Sequence, residues 1–361
     1  MGIIFIVVIL LLIFMFIYTI KCFTMLNFIK KIKNKILRIV VSIIPILLIF
    51  LLFNFVNFVV ILFHTFIFLS LSQLVIFIIK KIKKKKLNND IFVILGVSIT
   101  FVYMCIGAFL CYHVFETKYE VTTNKNIGTD SFRIIQISDS HVGATFDGDG
   151  LKKHIEKISK IDSDIVVITG DFVDDDTTRE DMIKSCEALT LFKPKYGIYY
   201  INGNHDKGYY NSRNFTYEEL TNELKKNNII VLEDEVKEID DYFYIIGRKD
   251  KTYNRKTIKE LTENLDKTKY MIDLNHQPND YENEKKEKID LVLSGHTHGG
   301  QLFPLGYVGL LINANDMFKG IKTIDNTTFI VNTGISDWAI DFKTGTKSEY
   351  TVIDIINKKG E

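Results

Sequence analysis

Residues 3–20 form an almost unbroken apolar run, residues 37–79 a second, of 43 residues, and residues 91–113 a third. Each reaches or exceeds the roughly 18–20 residues that carry a helix across a hydrocarbon core. The 43-residue run is about twice one span and is interrupted by Asn54 and Asn57, so it predicts two helices joined by a tight turn, and four spans in all. Further along, the pattern changes to short β-rich runs separated by amphipathic helical stretches, which predicts an α/β domain. The runs are 132–137, 164–168, 197–201, 270–274 and 289–293, with helical periodicity over 151–159. The stretch 117–130 (TKYEVTTNKNIGTD) is polar and without periodicity, and reads as a linker. The expected division is a transmembrane region over 1–116, a linker over 117–130 and a second domain over 131–361.

Charge changes this picture by splitting the chain. Up to Lys118 there are 13 Lys and Arg against 2 acidic residues; the remainder carries 32 basic and 42 acidic residues. The overall charge of +1 therefore conceals a basic first part and an acidic second part. The acidic part argues against nucleic acid as a partner. Lys21, Lys30, Lys31, Lys33, Lys35 and Arg38 fill the first connection between spans, and Lys80, Lys81 and Lys83 to Lys86 fill the second. Basic connections stay on the cytoplasmic side, so an even number of spans must separate these two, as the hairpin provides. One further span carries the chain outward. The expectation is a multi-pass cell-membrane protein whose second domain is extracytoplasmic. The first run lacks the basic start and small-residue cleavage site of a signal peptide. His64 and His113, within or at the end of spans, read as packing or interface residues. The cysteines, Cys22, Cys105, Cys111 and Cys186, support neither a disulfide framework nor a CxxC metal site.

Candidate chemistry sits at the strand ends. The five β-rich runs lead into Asp139 and His141, Asp171, Asn204, His276, and His296 and His298. In open α/β sheets the residues leaving parallel strands at their carboxyl ends converge on a common crevice. Imidazoles, carboxylates and one carboxamide, without thiolate, suit Mn²⁺, Fe²⁺/³⁺ or Zn²⁺. Seven such groups are too many for one ion. Two divalent ions sharing a carboxylate use them all, and form a clamp in which a bridging hydroxide attacks phosphorus. His205, flanked by Asp206, suits proton donation to the departing oxygen, with Asp206 fixing its tautomer. Asp174, Asp175 and Asp176 read as a solvated loop, Trp338 as a packing anchor and Cys186 as a small apolar helix residue. The apolar stretch 302–312 reads either as packing for a sheet or as the lining of an acyl-chain groove. Gly299 and Gly300 read as room for a phosphoryl group to approach.

The motifs D-x-H at Asp139, G-D at Asp171, G-N-H-D at Asn204, the lone His276 and G-H-x-H at His296 stand in that order. From about Ser131 to the end the chain resembles a calcineurin-like metallophosphoesterase. The resemblance implies a β-sandwich of two mixed sheets flanked by helices, with strands over 329–332 and 350–355 completing the second sheet. It also implies that Asp139, His141 and His298 bind one metal and Asn204, His276 and His296 the other, with Asp171 bridging and His205 catalytic. The extended form Gly295-His296-Thr297-His298-Gly299-Gly300-Gln301, with Asn275-His276-Gln277-Pro278 and a membrane-embedded start, is similar to a bacterial branch of that family. Members of that branch cleave the pyrophosphate of UDP-2,3-diacylglucosamine or act as cell-wall-associated phosphodiesterases. That branch's C-terminal arginine has no counterpart here, and Lys343 lies nearest to its place. The expected function is hydrolysis of a phosphodiester or pyrophosphate, with an envelope lipid or wall polymer among the candidate substrates. A phosphoprotein phosphatase and a non-catalytic ligand-sensing membrane protein are the alternatives.

Overall fold

A computed structural model of the chain describes residues 2–84, 88, 90–210 and 212–358. Lys85 and Lys86 of the second basic connection lie outside the described residues, as do residues 359–361. The chain divides into two compact units, Met1–Phe109 and Leu110–Glu361.

The first unit is helical: α1 (Gly2–Thr24), a single turn α2 (Asn27–Lys30), α3 (Lys35–Leu52), α4 (Phe55–Lys83) and α5 (Asp90–Tyr112). Four of these helices are long and apolar enough to cross a membrane. The expected hairpin is there, and Asn54 makes it: its side chain accepts the Asn57 N–H at 2.8 Å, capping α4 two residues after α3 ends. His64 is buried, its Nδ1 donating to the Val60 carbonyl at 2.8 Å, in keeping with a packing role.

The second unit contains β1 (Val114–Thr123), β2 (Ser131–Ile137), α6 (Gly148–Ile158), β3 (Ile165–Thr169), α7 (Arg179–Leu189), β4 (Ile198–Ile201), α8 (Tyr217–Lys226) and β5 (Ile229–Val231). It continues through β6 (Glu235–Ile239), β7 (Phe243–Gly247), α9 (Ile258–Thr262), β8 (Tyr270–Leu274), α10 (Tyr281–Lys286), β9 (Leu291–Ser294), α11 (Leu305–Leu311), β10 (Gly320–Ile324), β11 (Thr327–Val331) and β12 (Ser348–Asn357). Two six-stranded mixed sheets result, ordered β1-β12-β2-β3-β4-β5 and β10-β11-β9-β8-β7-β6. Strands β2 to β5 are parallel, as are β7, β8, β9 and β11.

Side-chain alternation builds three layers of core from these sheets. On β2, Phe132 and Ile134 face the second sheet and pack with Ile245, Ile272 and Leu293, whereas Ile135 and Ile137 face outward onto α6, α7 and α8. Ile246, Met271 and Phe329 do the same for α9 and α10 on the other side. Because both faces of the parallel strands are covered, runs such as Ile165–Thr169 are buried throughout.

Two expectations need correction. The stretch 117–130 is not all linker, because residues up to Thr123 belong to β1, an edge strand parallel to β12. Thr117, Tyr119 and Val121 turn inward while Glu116, Lys118 and Glu120 are exposed, a period-two pattern that the charges mask. Those charges also guard an open sheet edge. The last strand, β12, joins the first sheet, antiparallel to β2, and of the two strands expected in the second only β11 is there. Periodicity identifies strands but not their neighbours.

Candidate functional site

Strands β2, β3, β4, β8 and β9 end on one side of the two sheets, and every residue expected from the strand ends arrives there. Five of them, Asp139, His141, Asp171, His296 and His298, have φ between 36° and 70°. Non-glycine residues rarely occupy this left-handed region, and clusters of them mark sites where function outweighs local strain. Gly295 permits the closeness: a Cβ there would lie 2.3 Å from Asp139 Oδ2.

The donors, all buried except the half-buried His296, fall into two groups that meet at Asp171. In the first, His298 Nε2 lies 3.2 Å from His141 Nε2 and 3.6 Å from Asp139 Oδ1. In the second, His276 Nε2 lies 3.2 Å from Asn204 Oδ1, and His296 joins His276 and Asp171 within ligating range. Asp171 Oδ2 stands 3.7 Å from His141 Nε2 and 3.1 Å from His276 Nε2, so one carboxylate oxygen faces both groups. Its other oxygen accepts the His205 N–H at 2.8 Å.

Neighbouring groups turn these rings into ligands. His276 Nδ1 donates to the Thr169 carbonyl at 2.8 Å, and His141 Nδ1 to Asp174 Oδ2 at 2.8 Å, which directs each Nε2 inward. Asp337 Oδ1 lies 3.0 Å from His298 Nδ1. Asn204 donates its Nδ2 to the Tyr209 hydroxyl at 2.7 Å and so presents its oxygen to His276. The loop bearing His276 is itself held by buried charge: Asn275 donates to Glu284 at 2.8 Å, Gln277 to Asp250 at 2.9 Å, and Arg248 to Glu284 at 3.1 Å.

Electrostatics fit a cation at this place. Burial alone would push the Asp171 carboxyl up, but the imidazoles of His276 and His141 outweigh it and hold the pKa well below the carboxylate range. Burial likewise opposes a charged His276, yet Asp171 beside it raises that ring well above its ordinary pKa. Positive charge is thus favoured where two carboxylates and four imidazoles meet. His296, pushed down to about 4 by burial and by its neighbour His276, is a neutral imidazole, and its Nδ1 is buried without a hydrogen-bond partner among the described residues. Rings whose Nδ1 atoms are held outward, beside a neutral imidazole with an orphaned nitrogen, form a donor set that suits a divalent metal in place of those protons.

His205 stands beside the groups rather than in them. Its ring lines a cavity of about 670 Å³ together with Asp171, Asn204, His296, His298 and Trp338. Here the sequence-based reading is corrected: Asp206 does not orient this ring. Its carboxylate accepts the backbone N–H groups of Asp171, Phe172, Val173 and Gly203 at 2.7–3.1 Å, and so shapes the β3 and β4 loops. Asp174 takes the orienting part, its Oδ1 accepting from His205 Nδ1 at 3.0 Å. Far from lying in a solvated loop, Asp174 sets the tautomers of His141 and His205 at once. The sequence holds only a weak signal for this, a carboxylate three residues beyond Asp171 on the same strand-end loop; for Asp337 there is none.

Other expectations change too. Trp338 is 44% exposed, its ring 5.5 Å from that of His205, so it rims the cavity instead of anchoring a core. Gly299 and Gly300 make room for protein and not for substrate, because a Cβ would meet Thr346 Oγ1 at 2.4 Å or Gly306 Cα at 2.3 Å. Lys343 is fully buried and donates to the carbonyls of Thr333 and Ser336, at 2.8 and 3.1 Å, bracing the loop that carries Asp337.

Substituting Asp174→Asn, which keeps shape but not charge, should weaken metal binding or turnover about 10–100-fold, the usual effect of losing a carboxylate behind a histidine ligand. Metal titration of the purified variant checks this, and an unchanged affinity and rate would remove Asp174 from the site.

Residues 132–300 match the calcineurin-like phosphoesterase family. An uncharacterized metallophosphoesterase of Aquifex aeolicus is 32% identical, over 64% of this chain and 88% of its own length. The metallophosphoesterase YkoQ of Bacillus subtilis is 30% identical, over 60% and 81%. A transmembrane protein with metallophosphoesterase domain from Danio rerio is 29% identical, over 62% of this chain and 53% of that one. With its apolar helices and its two donor groups joined at Asp171, the chain belongs to the calcineurin-like phosphoesterase family, as a multi-pass membrane protein and a metal-dependent phosphoesterase.

Proposed function

We propose that this protein hydrolyses a phosphodiester or pyrophosphate bond at the outer face of the cell membrane, at a centre of two divalent ions. The observation that carries the reading is the single oxygen of Asp171 facing both donor groups. Asp139, His141 and His298 would hold one ion, and Asn204, His276 and His296 the other, with Asp171 shared. The chemistry such a centre supplies is Lewis acidity: a water acidic enough to attack at neutral pH, and phosphoryl oxygens relieved of charge. The chain's own residues do the rest. Thr169 and Asp174 keep the imidazoles of His276 and His141 aimed inward, and Asp337 stands 3.0 Å behind His298 Nδ1. His205 needs both ring protons to act as an acid, and although burial opposes this, Asp174 raises its pKa. Nδ1–H stays on Asp174, and the proton on Nε2 passes to the leaving oxygen. The rings of Tyr209 and Trp338, 4.9 and 5.5 Å from that of His205, flank it at the cavity.

The test is an assay of the full chain with Mn²⁺, Fe²⁺ and Zn²⁺ against bis-p-nitrophenyl phosphate, a monoester and a lipid pyrophosphate, beside Asn204→Ala. Wild type and variant equally inert with every metal would end the reading. Orientation has its own test. A cysteine placed at exposed Lys225 on α8 should react with an impermeant maleimide in intact cells. Reaction only after lysis would put the second unit in the cytoplasm.

A further inference from the structure

The mechanism leaves one feature of the second unit unused. Over residues 303–312 the chain turns apolar side chains outward, with Leu311 81% and Ile312 70% exposed and Phe303, Leu305, Tyr307 and Val308 also open. These six are half of the large exposed hydrophobics among the described residues of that unit. With these six side chains exposed, the stretch does not pack a sheet, as one sequence-based reading had it.

Nor is it loosely attached. Gly300 lies against the Gly306 backbone, Tyr307 packs edge-on against Phe318 with ring centroids 5.1 Å apart, and the Phe303 N–H donates to Thr344 Oγ1 at 3.1 Å. A firmly held apolar ledge in water calls for a cover.

What covers it is indicated by the loop that it leans on. Residues 338–346 carry Trp338 at the cavity rim and receive Gln301 and Phe303 from the ledge side, Gln301 Nε2 donating to the Trp338 carbonyl at 3.5 Å. The same loop receives the end of the fourth apolar helix: Cys111 Sγ lies 3.9 Å from the Ile340 carbonyl, and Tyr112 bonds to Asp341. Leu110 shares a groove of about 630 Å³ with Lys319, Thr344 and Gly345. A chain that leaves a bilayer at residues 110–112 brings to the bilayer surface whatever is fixed beside those residues. Tyrosine and tryptophan are also the side chains that favour that interface.

We infer that residues 303–312 rest on the lipid bilayer and hold the cavity mouth at its surface. Resting on the phosphoesterase reading above, the substrate class follows: an amphiphile whose phosphodiester or pyrophosphate reaches the cavity while its apolar tail stays in lipid. Partial insertion of a short apolar face beside a membrane anchor is enough to set such a distance.

Trp338 is the only tryptophan, which makes a clean reporter possible. The full chain carrying Trp338→Phe with Leu311→Trp is reconstituted in phosphatidylcholine vesicles whose acyl chains are brominated near the headgroup. At least twofold quenching relative to unbrominated vesicles is expected for the Leu311→Trp reporter, and none for Lys225→Trp in the same background. An unquenched Leu311→Trp reporter overturns the inference; if its emission is also blue-shifted, a second copy or another protein covers the ledge instead. A second variant, Leu311→Asp with Ile312→Asp, should raise KM for a bilayer-resident diester about tenfold relative to its KM for a soluble diester, and an unchanged ratio would count against the substrate class. Failure of the unsubstituted chain on the soluble diester with every metal would sink the phosphoesterase reading alone, since the quenching result stands apart from turnover.

Discussion

Replacing Asp171 by asparagine is expected to lower kcat/KM by at least about a thousandfold and to reduce bound metal from two equivalents toward one or none. The substitution preserves shape, and the amide oxygen can still accept the His205 N–H that Asp171 Oδ1 takes at 2.8 Å. It removes the negative charge at Oδ2, the one oxygen that faces both His141 and His276. An amide nitrogen placed there offers donors to two sites that need electron pairs. A centre that stabilises transition-state charge contributes several kcal/mol, and each 1.36 kcal/mol is tenfold in rate. Folding should not suffer: Asp171 and Asp206 are buried like charges, and burial with that repulsion holds the Asp206 carboxyl above its ordinary range. Metal analysis of the purified variant together with a metal-free melting curve decides the matter. Two retained equivalents, or a collapsed fold, would remove Asp171 from the shared position.

His205→Asn should leave metal content intact and reduce kcat by about 10²–10⁴-fold for substrates with an alkoxide leaving group, the range for a lost general acid. For p-nitrophenyl esters the loss should be near tenfold or less, because nitrophenolate departs without a proton. The pH profile carries the sign. Burial works against a protonated His205 but Asp174 outweighs it, so the net shift is upward. The acid form is then complete below the ring's pKa and disappears as pH rises through it. Wild-type turnover of alkoxide substrates should fall on the alkaline side, and Asp174→Asn should move that limb to lower pH. A profile identical in wild type and Asp174→Asn would show that another group supplies the proton.

Much of this site was legible in the residues because metal ligands are few in kind and strands end where polarity begins. Asp139 and His141 follow one apolar run, His296 and His298 another, and each was identifiable without knowing which strands were neighbours. The residues that orient the ligands were not. Asp174 looks like one of three adjacent acids, and Asp337 precedes an exposed tryptophan with nothing to distinguish it. Thr169 acts through a backbone carbonyl, which no side-chain pattern records, on a histidine 107 residues away. Asp206 is legible as part of the site but not in its task, because adjacency to His205 suggests contact whereas the backbone turn directs its carboxylate to four amides.

The same division runs through the fold. Uninterrupted apolar length set the four membrane-crossing helices, and Asn54 with its neighbours set the turn between two of them, because both are local properties of a chain in contact with lipid or water. Alternation and strand-end residues set the existence of most central strands and the family of the second unit. Sheet order belongs to packing: β12 sits between β1 and β2, and no periodicity states which hydrogen-bonding edge a strand will find. Exposure belongs to it as well. Residues 302–312 are apolar whether they cover a sheet or face a bilayer, and Trp338 is the same residue in a core or at a rim. Burial is a relation between distant segments, and only the folded chain supplies the second member of the pair.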